Sequence, residues 1–246
     1  MTNPSETRLE ILSDAESLAH RVADWILEVA TTKDGAFSVS LSGGSTPRRL
    51  YQLLAGSPYR ETFPWSRTHW FWGDERFVSH DDRLSNYRMV REALLSRAPI
   101  PATNIHPTPT ERVTPDEAAS AYERELKSFY GAERLDPARP LFDVTLLGLG
   151  PDGHTASLFP NTAVLAERDR WVGAVVGAKS EARITLTYPA LESSRNAAFL
   201  VAGGEKRAAL TRLRGRDNSL PAARLHPTGA LWIFADAAAV GAATQL

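Results

Sequence analysis

Apolar residues recur along the chain in two patterns, one with helical spacing and one that fits strands. Leu18, Val22, Trp25, Ile26 and Val29 fall on one face of a helix that begins near residue 13. Short apolar or β-branched runs indicate strands, and these runs are 37–41, 68–72, 142–147, 171–176, 183–187, 197–201 and 230–235. This alternation of strands and helices predicts an α/β fold with a mostly parallel, doubly wound (Rossmann-like) sheet and helices on both faces. We expect residues 1–246 to form a single domain.

Hydroxyl and proline signals mark the expected helix starts. Ser13 and Glu16 form a capping-box pattern, and Thr46 followed by Pro47 predicts a capping hydroxyl with proline at the first helical position. The segment 114–117, Thr-Pro-Asp-Glu, carries both signals at once. The remaining expected segments are a helix over about 85–95, an irregular proline-rich connection over 97–113 and a helix start near 204–206.

Composition and charge narrow the function classes. The chain has 28 basic and 29 acidic residues, and this balance argues against bulk binding of nucleic acid. It has no cysteine, which excludes disulfides, thiolate catalysis and cysteine-ligated metals. No apolar run is long enough to suggest a membrane span, and the polar start MTNPSETRLE lacks the apolar core of an export signal. A cytoplasmic protein without membrane or nucleic-acid partners is therefore expected.

A glycine turn with two hydroxyls follows the strand 37–41. Gly43, Gly44, Ser45 and Thr46 stand between that strand and a helix, so main-chain N–H groups at the helix start can bind a phosphate. The alternative is an ordinary tight turn with a helix cap. The turn matches neither the Walker loop nor the dinucleotide fingerprint, so no nucleotide is implied.

Charged residues follow the next strand, in the sequence Asp74-Glu75-Arg76. These side chains cannot all be buried unless they pair with each other or with a ligand. Asp74 is a candidate for proton transfer or for binding substrate hydroxyls, and Arg76 is a candidate for stabilising developing negative charge. The alternative is a solvated loop with a local ion pair.

A histidine beside a carboxylate follows the most apolar strand, 142–147. His154 is predicted at or near a helix start, where Asp152 can orient it as a general base. Lys179, Arg183 and Lys206 lie near other strand ends and are candidates for a phosphate clamp. No metal-ligand spacing and no nucleophilic-serine elbow is present. The other histidines are interpreted as structural, and they are His20, His69, His80, His106 and His226.

Taken in order, these clusters resemble the 6-phosphogluconolactonase family from about residue 37 to the last strand. The matching segments are 42–47, 72–76, 85–87, 148–160, 183–187, 220–223 and 227–229. The most specific is 148–160, which reads Gly-Leu-Gly-Pro-Asp-Gly-His-Thr-Ala-Ser-Leu-Phe-Pro. The resemblance implies hydrolysis of 6-phospho-D-glucono-1,5-lactone to 6-phospho-D-gluconate in the oxidative pentose phosphate pathway. It also implies a fold shared with glucosamine-6-phosphate deaminases and no cofactor.

The resemblance assigns roles to individual residues. It implies that His154 is the base that activates water, with Asp74, Arg76 and Asp152 nearby in the site. It places the substrate phosphate on the glycine turn 43–46. Arg183 and Lys206 are the expected further phosphate partners. The expected partner is therefore a small phosphosugar lactone, and the chain is expected to be a monomer or a small homo-oligomer.

Three other functions remain open at this point. The related deaminases carry an acid shortly after the histidine, in a stretch reading Asn-Glu-Pro, and use it to open the sugar ring. Here the stretch is 158–160, Leu-Phe-Pro, and Phe159 cannot exchange a proton. A sugar-phosphate sensor on a related fold would need a DNA-binding domain, for which the 36 residues before the first predicted strand are too few. An isomerase of phosphosugars is the third alternative.

Overall fold

The computed structural model describes residues 7–241. Part of the expectation about the polar N-terminus concerns residues 1–6 and lies outside the described residues. The strands are β1 (Thr7–Leu12), β2 (Phe37–Leu41), β3 (Thr68–Trp72), β4 (Asp74–Arg76), β5 (Ile105–His106), β6 (Phe142–Leu147), β7 (Val172–Val175), β8 (Arg183–Leu186), β9 (Ser194–Val201) and β10 (Ala230–Asp236). The helices are α1 (Ala15–Thr32), α2 (Ser45–Leu54), α3 (Tyr59–Thr62), α4 (Asn86–Val90), α5 (Pro115–Tyr130), α6 (Tyr188–Glu192), α7 (Arg207–Arg214) and α8 (Ala237–Val240).

Seven strands form one parallel sheet in the order β1-β10-β9-β6-β2-β3-β5. This confirms the predicted mostly parallel α/β fold. Three strands form a separate antiparallel sheet in the order β4-β8-β7, which the sequence patterns did not predict. Two strands of the main sheet, β1 and β5, were not predicted either. No helix within residues 7–241 is both long and apolar enough to cross a bilayer.

The main sheet is covered on both faces, as predicted. Alternate residues of β9 belong to different apolar clusters because successive side chains of a strand point to opposite faces. Ala197 and Phe199 pack with α5, α6 and α7, whereas Ala198 and Leu200 pack with α1 and α2. The strand can therefore be apolar at every position from 197 to 201, which is what made its sequence recognisable.

The predicted capping box at the start of α1 is wrong. The N-cap is Asp14, whose carboxylate accepts the main-chain N–H of Ser17 at 2.7 Å. A carboxylate is a strong cap because it also carries a negative charge at the positive end of the helix. The Ser13 hydroxyl lies 2.8 Å from that of Ser17 instead.

Two later helices begin where the sequence predicts. The Thr114 hydroxyl accepts the N–H of Glu117 at 3.3 Å, and the Glu117 carboxylate accepts the N–H of Thr114 at 2.7 Å. Ser85 caps α4, but the predicted helix over 85–95 turns into a π-helix at Arg91. Within the expected irregular connection 97–113, the structure has a 3₁₀ turn followed by β5.

Two buried tyrosine hydroxyls hold the carboxyl ends of β2 and β3. The Tyr51 hydroxyl donates to the carbonyl of Ser42 at 2.8 Å and accepts its N–H at 3.0 Å. The Tyr122 hydroxyl makes the same pair of bonds with Trp72, at 3.1 and 2.7 Å. Each tyrosine satisfies a main-chain donor and acceptor where the strand ladder stops. The turns that follow both strands are therefore anchored from the core.

Tyr122→Phe is expected to lower the free energy of unfolding by about 1–3 kcal/mol, because it leaves a buried N–H and a buried carbonyl of Trp72 unpaired. Urea unfolding followed by circular dichroism measures the change. Tyr87→Phe is the matched control, since the Tyr87 hydroxyl has no hydrogen-bond partner among residues 7–241. Equal losses in the two variants would contradict this account.

Candidate active site

The glycine turn after β2 leads directly into α2. The N-cap of this helix is Gly44, with φ +110° and no side-chain cap. Ser45 and Thr46 are the first two helical residues, so the prediction that Thr46 caps the helix is wrong. Gly43 packs tightly against the Asn86 side chain, which a β-carbon at this position would overlap. The start of α2 therefore keeps main-chain N–H groups without a side-chain cap, as an anion site requires.

A cleft of about 400 Å³ opens beside this turn. Its lining includes four arginines, and it is made up of Gly44, Ser45, Arg48, Arg76, Arg83, Ser85, Asn86, Arg88, Met89 and Glu92. We call it the arginine cleft. Arg88 donates to Glu92 at 2.8 Å, whereas Arg48 and Arg83 have no ion-pair partner within residues 7–241. The cleft therefore carries an excess of positive charge next to free N–H groups.

The sequence motifs did not point to Arg48 or Arg83. One signal for Arg48 was available, because it lies in the first turn of α2, directly after the glycine turn. No comparable signal exists for Arg83, which lies between β4 and α4 and reaches the cleft through the path of that loop.

Glu75 is a buried structural carboxylate. It accepts the N–H groups of Arg76, Asn86 and Tyr87 at 2.7 Å each and the Ser85 hydroxyl at 3.1 Å. Burial raises the pKa of Glu75, and the three main-chain donors partly offset this rise. Glu75 therefore ties β4 to the start of α4, and it does not form the ion pair with arginine that was one interpretation of the sequence.

Asp74 connects three parts of the site. Its carboxylate accepts the Ser157 hydroxyl at 2.6 Å, and its carbonyl accepts the Asn86 amide at 2.9 Å. Ser157 lies just after His154 in the chain, and Asn86 packs on Gly43. Asp74 thus joins the histidine loop to the glycine turn.

Arg76 and Arg183 lie directly opposite each other in the antiparallel pair β4–β8. Burial lowers the pKa of Arg183, and the neighbouring charge of Arg76 lowers it further. The negative charges of Asp74 and Glu181 act in the opposite direction and offset part of this decrease. Like charges on paired positions repel each other, and Glu181 offsets part of this repulsion through an ion pair with Arg183 at 3.5 Å. Their placement fits a site that receives a negatively charged group.

His154 and Asp152 face each other in the loop after β6. Asp152 Oδ1 contacts His154 Nδ1 and also accepts the His154 N–H at 3.2 Å. Burial on its own would raise the pKa of Asp152. The hydrogen bond and charge of His154, together with the charge of Lys179, outweigh burial and hold this pKa below its usual value. His154 Nε2 has no partner within residues 7–241. Because Nδ1 is engaged by a carboxylate, Nε2 is the nitrogen left for chemistry.

The loop around His154 is made of turns. The prediction that His154 lies at or near a helix start is wrong, because residues 151–162 form turns and the next 3₁₀ turn begins at Ala163. Gly150 lies against the His154 ring so closely that a β-carbon would overlap it. The ring centroid of Phe159 lies 4.7 Å from that of His154. The imidazole is therefore held by packing and by one hydrogen bond.

The two candidate lysines occupy different places. Lys206 ends the 3₁₀ turn Gly204–Lys206, which follows β9 at the same edge of the sheet as the other turns. No hydrogen bond or ion pair within residues 7–241 joins it to the other candidates. Lys179 lies over the Phe159 ring, with Nζ 4.9 Å from the centroid, and so lies closer to the histidine loop.

His106 lies outside the site and makes structural contacts. Its Nδ1 lies 2.7 Å from a Glu125 carboxylate oxygen and its Nε2 lies 3.0 Å from His69 Nδ1. This group lies at the β5 edge, away from the turns described above. Within residues 7–241, no three histidine or acidic side chains are arranged to hold a metal ion.

Comparison with known proteins gives consistent matches. The family profile described as glucosamine-6-phosphate isomerases/6-phosphogluconolactonase matches residues 13–233. A 6-phosphogluconolactonase from Nostoc sp. is 42% identical, over 94% of this chain and 96% of that protein. One from Synechocystis sp. is 43% identical, over 83% and 84%. The crystal structure of 6-phosphogluconolactonase from Thermotoga maritima superposes with a TM-score of 0.79 and 33% identity, covering 94% of this chain and all of that one.

Proposed function

The chain belongs to the family of glucosamine-6-phosphate isomerases and 6-phosphogluconolactonases, and we propose that it hydrolyses 6-phospho-D-glucono-1,5-lactone by His154-activated attack of water. The coarser part of this assignment, a lactonase of the pentose phosphate pathway, rests on relatives with that activity over most of the chain. The finer part rests on one observation. His154 Nδ1 is engaged by Asp152, while Nε2 is free at the sheet edge that also carries the arginine cleft.

The arginine cleft suits the phosphate of the substrate. A phosphate dianion placed there accepts hydrogen bonds from the main-chain N–H groups at the start of α2. It also accepts charge-assisted hydrogen bonds from the arginine side chains. Arg76 lines this cleft together with Gly44 and Ser45. Its position favours a contact with the phosphate over the oxyanion role suggested by sequence. We place Arg183 beside it as a second cation and keep Lys206 as a predicted partner at the same sheet edge.

Neutral His154 takes a proton from water at Nε2 as the water oxygen attacks the lactone carbonyl. The tetrahedral oxyanion then collapses and the bond to the ring oxygen breaks. The same Nε2 proton moves to that oxygen, which becomes the hydroxyl of the open acid. Asp152 holds the proton on Nδ1 throughout, so the base is always presented at Nε2. The step uses water and side chains of the chain alone.

Phe159 favours lactone hydrolysis over deamination. Its ring packs against that of His154 at 4.7 Å, in the part of the loop where the related deaminases carry an acid. An aromatic ring cannot donate or accept the proton that ring opening of an amino sugar needs. A lactone requires only the histidine, because its ring opens when the ester bond is hydrolysed. A cytoplasmic location and a monomeric or small homo-oligomeric state stay predictions.

Asp152→Asn is expected to lower kcat by about 10–100-fold with a small change in KM. An asparagine amide that donates to Nδ1 stabilises the tautomer with its proton on Nε2, and that tautomer cannot act as the base. The steady-state rate at saturating lactone measures the effect. Asp169→Asn is the control, because Asp169 is an exposed acid outside the site. A variant with unchanged kcat would show that Asp152 does not set the tautomer.

The activity is tested with freshly generated 6-phospho-D-glucono-1,5-lactone, coupled to 6-phosphogluconate dehydrogenase and followed by NADPH formation. The spontaneous hydrolysis is recorded beside it, because the lactone opens in water. Acceleration by the wild-type protein is the expected result. A folded protein that gives no acceleration would overturn the proposal, and glucosamine 6-phosphate would be the next substrate to test.

A further inference from the structure

A second cavity, of about 800 Å³, lies on one face of the main sheet beside β1 and β10. It is twice the volume of the arginine cleft, and its lining includes residues at the amino ends of these strands. Its floor is apolar and includes Leu9, Leu213, Ala223, Leu225, Leu231 and Ile233. A concave, largely apolar cavity of this size can enclose a small organic molecule.

The rim of this cavity is cationic. Arg214 and Arg216 line it, and neither guanidinium group has a hydrogen-bond or ion-pair partner within residues 7–241. The nearest acid in the chain, Asp217, is already engaged by Arg212 at 2.8 Å. No acidic residue is among the described residues that line the cavity. This part of the wall therefore combines apolar surface with the positive charge of two arginines.

We propose that this cavity binds a small organic anion with an apolar body. The apolar part of the ligand lies on the floor, and its carboxylate, sulfonate or phosphate group accepts hydrogen bonds from the two arginines. A purely apolar ligand would leave the guanidinium groups unused. An inorganic anion would gain nothing from the floor. The charge pattern thus selects one class of ligand.

A short path connects this cavity to the catalytic loop. Ala222 belongs to the 3₁₀ turn Pro221–Arg224 and lines the cavity. Its N–H donates to the carbonyl of Gly153 at 2.9 Å, and Leu220 packs against Gly153, which has φ +80°. Gly153 directly precedes His154. A ligand that binds more tightly to one position of the turn Pro221–Arg224 therefore changes which conformations the loop around His154 adopts. This step rests on the role of His154 proposed above.

Binding is tested with 8-anilinonaphthalene-1-sulfonate, an aromatic anion whose fluorescence rises in apolar surroundings. The neutral probe N-phenyl-1-naphthylamine has a similar apolar body without the charge. We expect R214Q/R216Q to weaken binding of the anion by about tenfold or more and to leave the neutral probe unchanged. Both arginines are exposed, so the double variant is expected to keep the thermal midpoint of the wild type.

Two outcomes would overturn the binding proposal. One is equal binding of the anion by wild type and R214Q/R216Q. The other is displacement of the anion by 6-phosphogluconate together with weaker binding in R83Q, which would place the probe in the arginine cleft. Neither outcome depends on whether the chain hydrolyses a lactone, so this test is separate from that of the proposed activity.

The connection to His154 is tested by measuring lactonase kcat with and without saturating anilinonaphthalene sulfonate. We expect the anion to change kcat of the wild type at least about twofold and to leave R214Q/R216Q unaffected at the same concentration. An unchanged wild-type kcat at a concentration that saturates the fluorescence would overturn the connection. A change of equal size in both proteins would overturn it too, because the effect would then arise elsewhere.

Discussion

Replacing His154 by alanine is expected to lower kcat for 6-phospho-D-glucono-1,5-lactone by about 10²–10⁴-fold, the usual contribution of a general base. KM should change little, because the phosphate is held by the arginine cleft and the glycine turn. The packing cost is small, since the imidazole is partly exposed. The coupled assay measures both constants after subtraction of the spontaneous rate, which sets the lowest detectable activity.

His20→Ala is the matched control, because His20 is exposed on α1 and outside the site. It should keep wild-type kcat and KM. A rise in KM with unchanged kcat in His154→Ala would make His154 a binding residue and would contradict the proposed base. Unchanged thermal unfolding of the variant separates loss of the base from loss of the fold.

The fold was largely predictable because its central strands are buried on both faces. The run 142–147 is buried at all six positions and apolar at four of them, which is typical of a covered parallel strand. In contrast, β1 was missed because it is an edge strand. None of its six residues is fully buried, and its apolar Ile11 is exposed. β4 was missed because three charged residues resemble a turn. Its pairing with β8, more than a hundred residues later, is a tertiary contact that no local pattern carries.

The site was predictable where its residues lie in turns that follow strands. Gly43 and Asp74 come two residues after β2 and β3, His154 comes seven residues after β6, and parallel strands bring their carboxyl ends to one edge. The functions of individual side chains depended on longer-range contacts. Glu75 belongs to the same charged cluster as Asp74, yet its four hydrogen bonds are to residues 76 and 85–87. Arg83 enters the site from a loop whose path is set by those bonds, so it could not be identified from its own sequence surroundings.

Arg76→Gln is expected to lower kcat/KM by about 10²-fold, mainly through a higher KM. The arginine lines the cleft with Gly44 and Ser45, where we place the phosphate. A hydrogen bond between charged groups contributes about 1.5–3 kcal/mol, and that is roughly one to two powers of ten in affinity. The substitution removes the bond from Arg76 Nη1 to the Leu84 carbonyl at 2.7 Å, but the Glu75 carboxylate still accepts the main-chain N–H groups of Asn86 and Tyr87 at 2.7 Å each. The loop should therefore keep its conformation.

The division between KM and kcat distinguishes the two roles considered for Arg76. A phosphate contact persists from the bound substrate to the transition state, so its loss raises KM and leaves kcat nearly unchanged. An oxyanion contact forms only as charge develops on the carbonyl oxygen, so its loss lowers kcat at constant KM. Arg124→Gln, an exposed change on α5, should alter neither constant. A fall in kcat alone would return Arg76 to the oxyanion role that the sequence suggested and would leave the other arginines of the cleft to bind the phosphate.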